Sequence, residues 1–285
     1  MTMEQTKSYH RALTIAGSDS GGGAGIQADL KTFSALGCYG MSVLTALTAQ
    51  NTKKVVAIFE VDPTFVDQQI NAVLDDLGAD AIKIGMLHDP RVIEIVAENI
   101  KKRSISNVVL DPVMVAQSGD KLIKNEAIKA LTEQLFPLSR IITPNLPEAE
   151  ELLNRDINGA DQMEQAARDL LEWGPESVLL KGGHGSEQKS RDCLVQRQSP
   201  DEEVSIEWME AEYIETNNTH GTGCTLSSAI AAYLARGGTL QQAVASAKHY
   251  ITGAIHAGST YKIGEGSGPL HHFYQFWNGH TLNNQ

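Results

Sequence analysis

Two hydrophobic periods alternate along the chain. Short continuous apolar runs are separated by stretches in which apolar residues recur every three or four positions. Arg11 to Ala16 reads as a strand, and Gly17 to Gly25 as a glycine-rich turn. Ile26, Leu30 and Phe33 then recur at i, i+4 and i+7, which marks one face of a helix. Gly37 is placed to stop that helix. Met41 to Ala49 is apolar and Thr-rich and reads as extended; Val55 to Val61 reads as a further strand. Asp62 is placed to cap a helix with Pro63 in its first position. Val66, Ile70, Val73 and Leu77 are its expected buried stripe, and Gly78 its end.

The next four apolar runs share one layout. Ala81 to Ile84 ends in Gly85-Met86, and Val108 to Leu110 in Asp111-Pro112. Ile141 and Ile142 lead into Thr143-Pro144-Asn145, and Val178 to Leu180 into Lys181-Gly182-Gly183. A short run that is apolar at every position is expected of a strand buried on both faces. The helical stretches between these runs have lengths that suit right-handed crossovers. The pattern predicts an α/β fold, a mostly parallel central sheet with helices on both faces. After Gly185 the pattern alternates more strongly. Arg191 to Gln198 and Ser205 to Met209 read as strands, with the polar link Ser199 to Glu203 as a hairpin loop. Two helices, about Thr222 to Ala235 and Leu240 to Ala257, complete the core. With no repeat, low-complexity tract or linker in view, residues 1–285 are expected to form a single domain with its core at about 11–277.

Composition narrows the partners. The chain has 285 residues, with 23 Lys and Arg against 35 Asp and Glu, a net charge of −12. That balance argues against nucleic acid or an anionic membrane, which require a basic footprint. No apolar run approaches the roughly 18 residues of a membrane span. Met1 to His10 is polar and lacks the apolar segment of a secretory signal. Cys38, Cys193 and Cys224 are odd in number and widely spaced, which suits neither a disulfide framework nor a zinc finger. A cytoplasmic protein is expected. Adjacent His271 and His272 face different ways on any regular element and do not suggest a zinc site.

Ligands of open α/β sheets bind beyond the carboxyl ends of the parallel strands. There the sequence places Gly17-Ser18-Asp19, Met86, Asp111, Asn145 with Glu148, Lys181, and the turn from Asn217 to Cys224. Carboxylates, an ammonium and glycine-rich turns converging on one edge are an inventory for phosphoryl transfer. Gly221 and Gly223 precede or open a helix, where backbone N–H groups and the helix dipole favour an anion. A turn shaped only for a sharp reversal is the competing reading. Cys224, in the first helical turn, is either a thiol of lowered pKa or a small buried hydrophobe. The turn is not a Walker motif, and Gly21 to Gly25 is not a dinucleotide fingerprint.

Six motifs in order resemble those of the hydroxymethylpyrimidine/phosphomethylpyrimidine kinases of thiamin biosynthesis, within the ribokinase-like superfamily. They are Ala16-Gly17-Ser18-Asp19 with Gly22 to Lys31; Thr48-Ala49-Gln50-Asn51-Thr52; Lys83-Ile84-Gly85-Met86; Thr143 to Ala149; Lys181-Gly182-Gly183-His184; and His220 to Thr225. The closing Gly268-Pro269-Leu270-His271-His272-Phe273 is similar to the family's C-terminus, so the resemblance spans about Ala12 to Trp277.

The resemblance implies a ribokinase-like three-layer α/β/α sandwich. It implies ATP and Mg²⁺ as cofactors and an aminopyrimidine alcohol as substrate, phosphorylated to the monophosphate and then to the diphosphate. It implies a catalytic role for Cys224, with the Gly221 and Gly223 amides stabilising the transferring phosphoryl group. Gln50, Asp29, Ala24, Met86 and Val113 would bind the pyrimidine. Lys181, Asn145, Thr219 and His220 would contact the nucleotide, and Asp111 and Glu148 would hold Mg²⁺. A homodimer is expected, and Ser186 to Ser190 is a candidate flap over the nucleotide. No second module is expected after Trp277. The rival readings are a pyridoxal or pyridoxine kinase, which shares the Gly-Thr-Gly-Cys turn, and a non-catalytic binding protein on the same fold. Cys224→Ala is expected to remove most of kcat and leave ATP affinity nearly unchanged.

Overall fold

The chain is described from a computed structural model that covers residues 7–114, 125–183, 189–197 and 204–277. The first strand, β1 (Arg11–Asp19), runs three residues further than its apolar core suggests and carries Ser18 and Asp19 to the sheet edge. A tight turn leads into α1 (Gly25–Ala35), which ends before Gly37 in the left-handed conformation its sequence anticipates. β2 (Tyr39–Gln50) pairs parallel with β1, and β3 (Val55–Glu60) folds back antiparallel on β2. The next helix is α2 (Pro63–Asp76), capped where Asp62 accepts the Thr64 N–H at 2.8 Å. Its buried stripe is Val66, Ile70 and Leu74. Val73 is half-buried and Leu77, beyond the last helical turn, is 40 % exposed. The expected stripe thus drifts at its end, because 3.6 residues per turn brings Leu74 under Ile70.

β4 (Ala81–Ile84) then pairs parallel on the free side of β1. It is followed by α3 (Pro90–Arg103), β5 (Val108–Leu110), α4 (Asn125–Ala130), β6 (Ile141–Ile142), α5 (Leu146–Leu153), α6 (Gly159–Leu171) and β7 (Ser177–Lys181). β8 (Lys189–Gln196) and β9 (Ser205–Glu212) add an antiparallel edge. β8 begins two residues before the expected Arg191, and β9 starts at the expected Ser205 but runs on past Met209 to Glu212. The expected loop Ser199–Glu203 and the flap residues Ser186, Glu187 and Gln188 lie outside the described residues, as does His184; Lys189 and Ser190 open β8. Three helices follow among the described residues: α7 (Thr222–Ala235), α8 (Leu240–Gly258) and the short α9 (Tyr274–Trp277).

Among the described residues nine strands form one sheet in the order β3-β2-β1-β4-β5-β6-β7-β8-β9, parallel from β2 through β7. Side chains alternate across it. Leu13, Ile15, Ile82, Ile84 and Leu110 pack with Ile70, Ile93 and Leu170 on the side of α2, α3 and α6. Ala12, Ala81, Val109 and Leu179 pack with Phe33, Ile230 and Tyr250 on the side of α1, α7 and α8. The result is the expected three-layer α/β/α sandwich. α7 is rich in small residues, and Ala229, Ala231 and Ala232 let it press onto β1, β4 and β5. β2 and β4 leave β1 in opposite directions, so a crevice opens at the carboxyl ends of β1 and β4.

Candidate active site

That crevice is a cleft of about 400 Å³. Every residue expected at the site lines it except Asp29: Ala24, Gln50, Met86 and Val113; Asp111 and Glu148; Asn145, Lys181, Thr219 and His220; and Gly221, Gly223 and Cys224. Strand ends supply most of them, because parallel strands with short connections leave their last residues facing one edge. Gln50 closes β2, Lys181 closes β7, and Asp111 follows β5 directly. Met86 follows β4 and lies over Gly17, so closely that a Cβ there would meet its Cε at 2.6 Å.

Asp29 is the correction. It is fully buried on α1, behind the cleft wall rather than in it. Its Oδ1 and Oδ2 each lie 2.9 Å from the Lys83 Nζ, and they also accept hydrogen bonds from Ser228 and Thr14, both at 2.6 Å. Lys83 itself lines the cleft and was not singled out from the sequence. Burial alone would lower its pKa, but the Asp29 carboxylate raises it, so the ammonium stays charged. The available signal was a lysine in the otherwise apolar strand Ala81-Ile82-Lys83-Ile84.

The acidic side of the cleft is a cluster around Lys181. The Lys181 Nζ donates to Asp111 Oδ1 at 2.9 Å, and the Thr143 hydroxyl donates to the same oxygen at 3.1 Å. The Ser227 hydroxyl reaches Asp111 Oδ2 at 3.3 Å. Burial works against the charge on Asp111, but Lys181 and Lys83 hold its pKa below the usual carboxylate range. Glu148 and Asn145 form a capping box at the start of α5: Asn145 Oδ1 accepts the Glu148 N–H at 2.8 Å, and Glu148 Oε2 accepts the Asn145 N–H at 2.9 Å. Both residues therefore build a helix start as well as the cleft. Burial, reinforced by Asp111 and opposed by Lys181, pushes Glu148 up to about 7.

One end of the cleft is the start of α7. Gly221 caps it with φ +85°, in the left-handed region, and a Cβ there would collide with the Gly23 carbonyl oxygen. The glycines thus allow two backbone loops to touch. His220 faces Asp19, with Nε2 2.8 Å from Oδ2, in addition to bordering the cleft. Cys224 departs from the thiolate expectation. Burial pushes its thiol up to about 11, and Lys83 and the Gly25 N–H only partly offset this. A helix N-terminus does favour a thiolate, but desolvation outweighs it here. His272, set aside as a zinc ligand, is buried and pairs its Nε2 with the Thr225 hydroxyl at 3.0 Å.

A second cavity of about 290 Å³ adjoins the cleft through Lys181, Thr219 and Thr222. Ile214, Leu226, Ile251 and Ile255 give it apolar walls, with Thr252 and Lys248 at hand.

Comparison with known proteins agrees with this layout. The family model described as phosphomethylpyrimidine kinase matches residues 19–271. A hydroxymethylpyrimidine/phosphomethylpyrimidine kinase of Rhizobium meliloti is 48 % identical over 93 % of this chain and 98 % of its own length. One from Escherichia coli is 46 % identical over the same shares. Among solved structures, a phosphomethylpyrimidine kinase from Clostridium difficile superimposes with a TM-score of 0.74 at 46 % identity, over 86 % of this chain and 99 % of that one. An ADP complex of Bacillus subtilis pyridoxal kinase gives 0.84 at 39 % identity, over 94 % and 99 %. With its motifs in order, its cleft at the switch point and its relatives matched end to end, the chain belongs to the phosphomethylpyrimidine kinase family.

Proposed function

We propose that this enzyme transfers the γ-phosphoryl group of ATP to the hydroxymethyl oxygen of 4-amino-5-hydroxymethyl-2-methylpyrimidine, and then transfers a second one to the monophosphate, in thiamin biosynthesis. The observation that carries the reading is the convergence, in one cleft, of the α7 N-terminus with Cys224, Lys181, Asp111 and Gln50. In each transfer an acceptor oxygen bonds to the γ-phosphorus while the bond from phosphorus to the β,γ-bridging oxygen breaks. ADP leaves, and the acceptor hydroxyl gives up its proton in the first transfer. Such chemistry depends mainly on positioning and charge neutralisation.

The residues divide the work. The Gln50 amide, steadied where its Oε1 lies 3.1 Å from the Thr48 hydroxyl, would pair with the ring nitrogen and amine. Met86, Val113 and Ala24 would pack on the ring. Cys224, a neutral thiol at rest, would hold the hydroxyl rather than wait as a preformed base. The Gly221 to Cys224 amides and Lys181 would neutralise charge on the transferring group. The nucleoside would lie in the adjoining apolar cavity; nucleotide binding itself is supported by a Staphylococcus aureus pyridoxal kinase, 33 % identical with a TM-score of 0.84, that was solved in complex with AMP-PCP.

Asp111 and Glu148 fit Mg²⁺. Their oxygens are hard donors, and both carboxylates line the cleft beside Lys181. When bound, the ion would neutralise charge on the β- and γ-phosphates.

Incubating the enzyme with ATP, Mg²⁺ and the alcohol, and resolving products by ion-exchange chromatography, tests the reading. Monophosphate followed by diphosphate is expected; neither product would overturn it. The 39 % identity to a pyridoxal kinase favours pyridoxal as a second acceptor. The assembly proposed from the family resemblance is a homodimer in the cytoplasm. A sedimentation coefficient of a monomer at micromolar concentration would contradict the dimer.

A further inference from the structure

Asp19 is a carboxylate that the transfer itself does not use. It is 3 % exposed, yet burial does not neutralise it: hydrogen bonds from His220 and from the Ala24 and Gly21 amides hold its pKa below the usual range. Oδ1 accepts the Gly21 N–H at 2.7 Å. Oδ2 accepts the Gly23 and Ala24 N–H groups at 3.0 and 2.9 Å and faces His220 Nε2 at 2.8 Å. Oδ2 takes three donors and Oδ1 one, so most of the carboxylate's hydrogen-bonding capacity is spent on these two loops.

Those donors belong to two loops that carry the two reacting partners. Ala24 lies in the acceptor end of the cleft, and His220 sits one residue before the anion turn. The neighbours of Asp19 hold the third wall. The Thr48 hydroxyl donates to the Ser18 carbonyl at 2.9 Å, the Ser20 hydroxyl donates to the Gln50 carbonyl at 2.9 Å, and the Gln50 N–H donates back to that hydroxyl at 2.8 Å. From behind, the His220 N–H donates to the Gly268 carbonyl at 3.0 Å. The loops are in contact: a Cβ on Gly221 would strike the Gly23 carbonyl, and one on Gly23 would strike the His220 ring. We propose that Asp19 is a positioning residue that, through His220, sets the spacing between the acceptor-binding wall and the anion turn. Transfer needs reacting atoms about 3–3.5 Å apart and in line, and a 1 Å error costs on the order of 100-fold in rate. The pair therefore acts on kcat, not on the binding of either partner.

This rests on the kinase reading, and the wild type in the same assay checks that reading separately. The full chain carrying His220→Ala, His220→Gln, Asp19→Asn and Asp19→Asn/His220→Ala is assayed for kcat, both KM values and Tm. His220→Ala removes one donor and leaves the three backbone donors, so it is the variant expected to fold. Its kcat is expected to fall at least tenfold with both KM values within threefold. His220→Gln, whose amide N–H can reach the same oxygen, is expected to recover kcat to within threefold of wild type. In the Asp19→Asn background the His220→Ala change should cost less than twofold more. The proposal is overturned by an unchanged kcat in His220→Ala, by a raised KM for ATP at unchanged kcat, or by losses that multiply in the double variant. If the wild type uses pyridoxal and not the pyrimidine, the kinase substrate is wrong, and the same comparison on pyridoxal decides the positioning role.

Discussion

In the first turn of α7, the Cys224 thiol lies under the influence of Lys83, Asp29 and Asp111, and burial sets its pKa at about 11. The sequence showed a cysteine at a helix N-terminus and hence a candidate thiolate. It did not show the desolvation, which depends on residues far away in the chain. A neutral thiol would still serve the proposed role of hydrogen-bond partner for the acceptor hydroxyl, and a loose phosphoryl transfer needs little proton abstraction in advance. Cys224→Ala is therefore expected to lower kcat at least 100-fold with the ATP Kd within threefold, read by steady-state kinetics and calorimetric titration. A kcat within threefold of wild type would remove Cys224 from the mechanism. Asp29 shows the same limit of local reading. Its motif placed it correctly in sequence, but its partner Lys83 is 54 positions away and turns it inward. Asp19 and His220, 201 positions apart, were visible only as separate motif letters.

At the scale of elements, the Asp29–Lys83 pair fastens α1 to β4, and Ser228 joins α7 to them. Breaking a buried pair by removing one partner costs about 3–5 kcal/mol, while removing both can be nearly neutral. Lys83→Met is expected to lower the unfolding free energy by that amount in denaturant titration, and Lys83→Met with Asp29→Asn to recover more than half of it. Equal stability of single and double variants would deny the pair its fastening role. The C-terminal segment is held differently. His272 is buried against α7, where its ring meets Thr225, and its carbonyl accepts the Tyr250 hydroxyl of α8 at 2.7 Å. Burial lowers its pKa from 6.5 to about 4. The unfolded chain therefore takes up this proton first as pH falls. The contribution is complete above pH 6.5 and is lost between there and about 4; at about 1.4 kcal/mol per pH unit the full loss is roughly 3–4 kcal/mol. Urea titrations at pH 7 and pH 4.5 should show a smaller fall for His272→Gln than for wild type. An equal fall would assign the acid sensitivity elsewhere. The elements themselves were legible where burial is simple. Strands covered on both faces appear as unbroken apolar runs, and Asp62-Pro63 marked the start of α2. β8 and β9 were less legible, because an antiparallel edge faces solvent in part and blurs its own ends.

Across the whole molecule, a charge of −12 coexists with a cleft built for phosphates. The two are compatible because the positive field is local. The amides at the start of α7 supply it, together with Lys181 and Lys83, each held against a carboxylate. Part of the negative charge, Asp111 and Glu148, lines the cleft itself, where it is proposed to hold a cation. The topology explains why so much of the site could be read in advance. One sheet with a reversal of strand order gathers six strand ends at one edge, and chemistry-bearing residues at those ends stand out against apolar strands. What the topology leaves open is the acceptor, since pyridoxal and the aminopyrimidine are both rings bearing a hydroxymethyl group. The most direct test is kcat/KM for each alcohol under saturating ATP and Mg²⁺. A value for 4-amino-5-hydroxymethyl-2-methylpyrimidine at least tenfold above that for pyridoxal is predicted. A higher value for pyridoxal, or turnover of neither, would contradict the account.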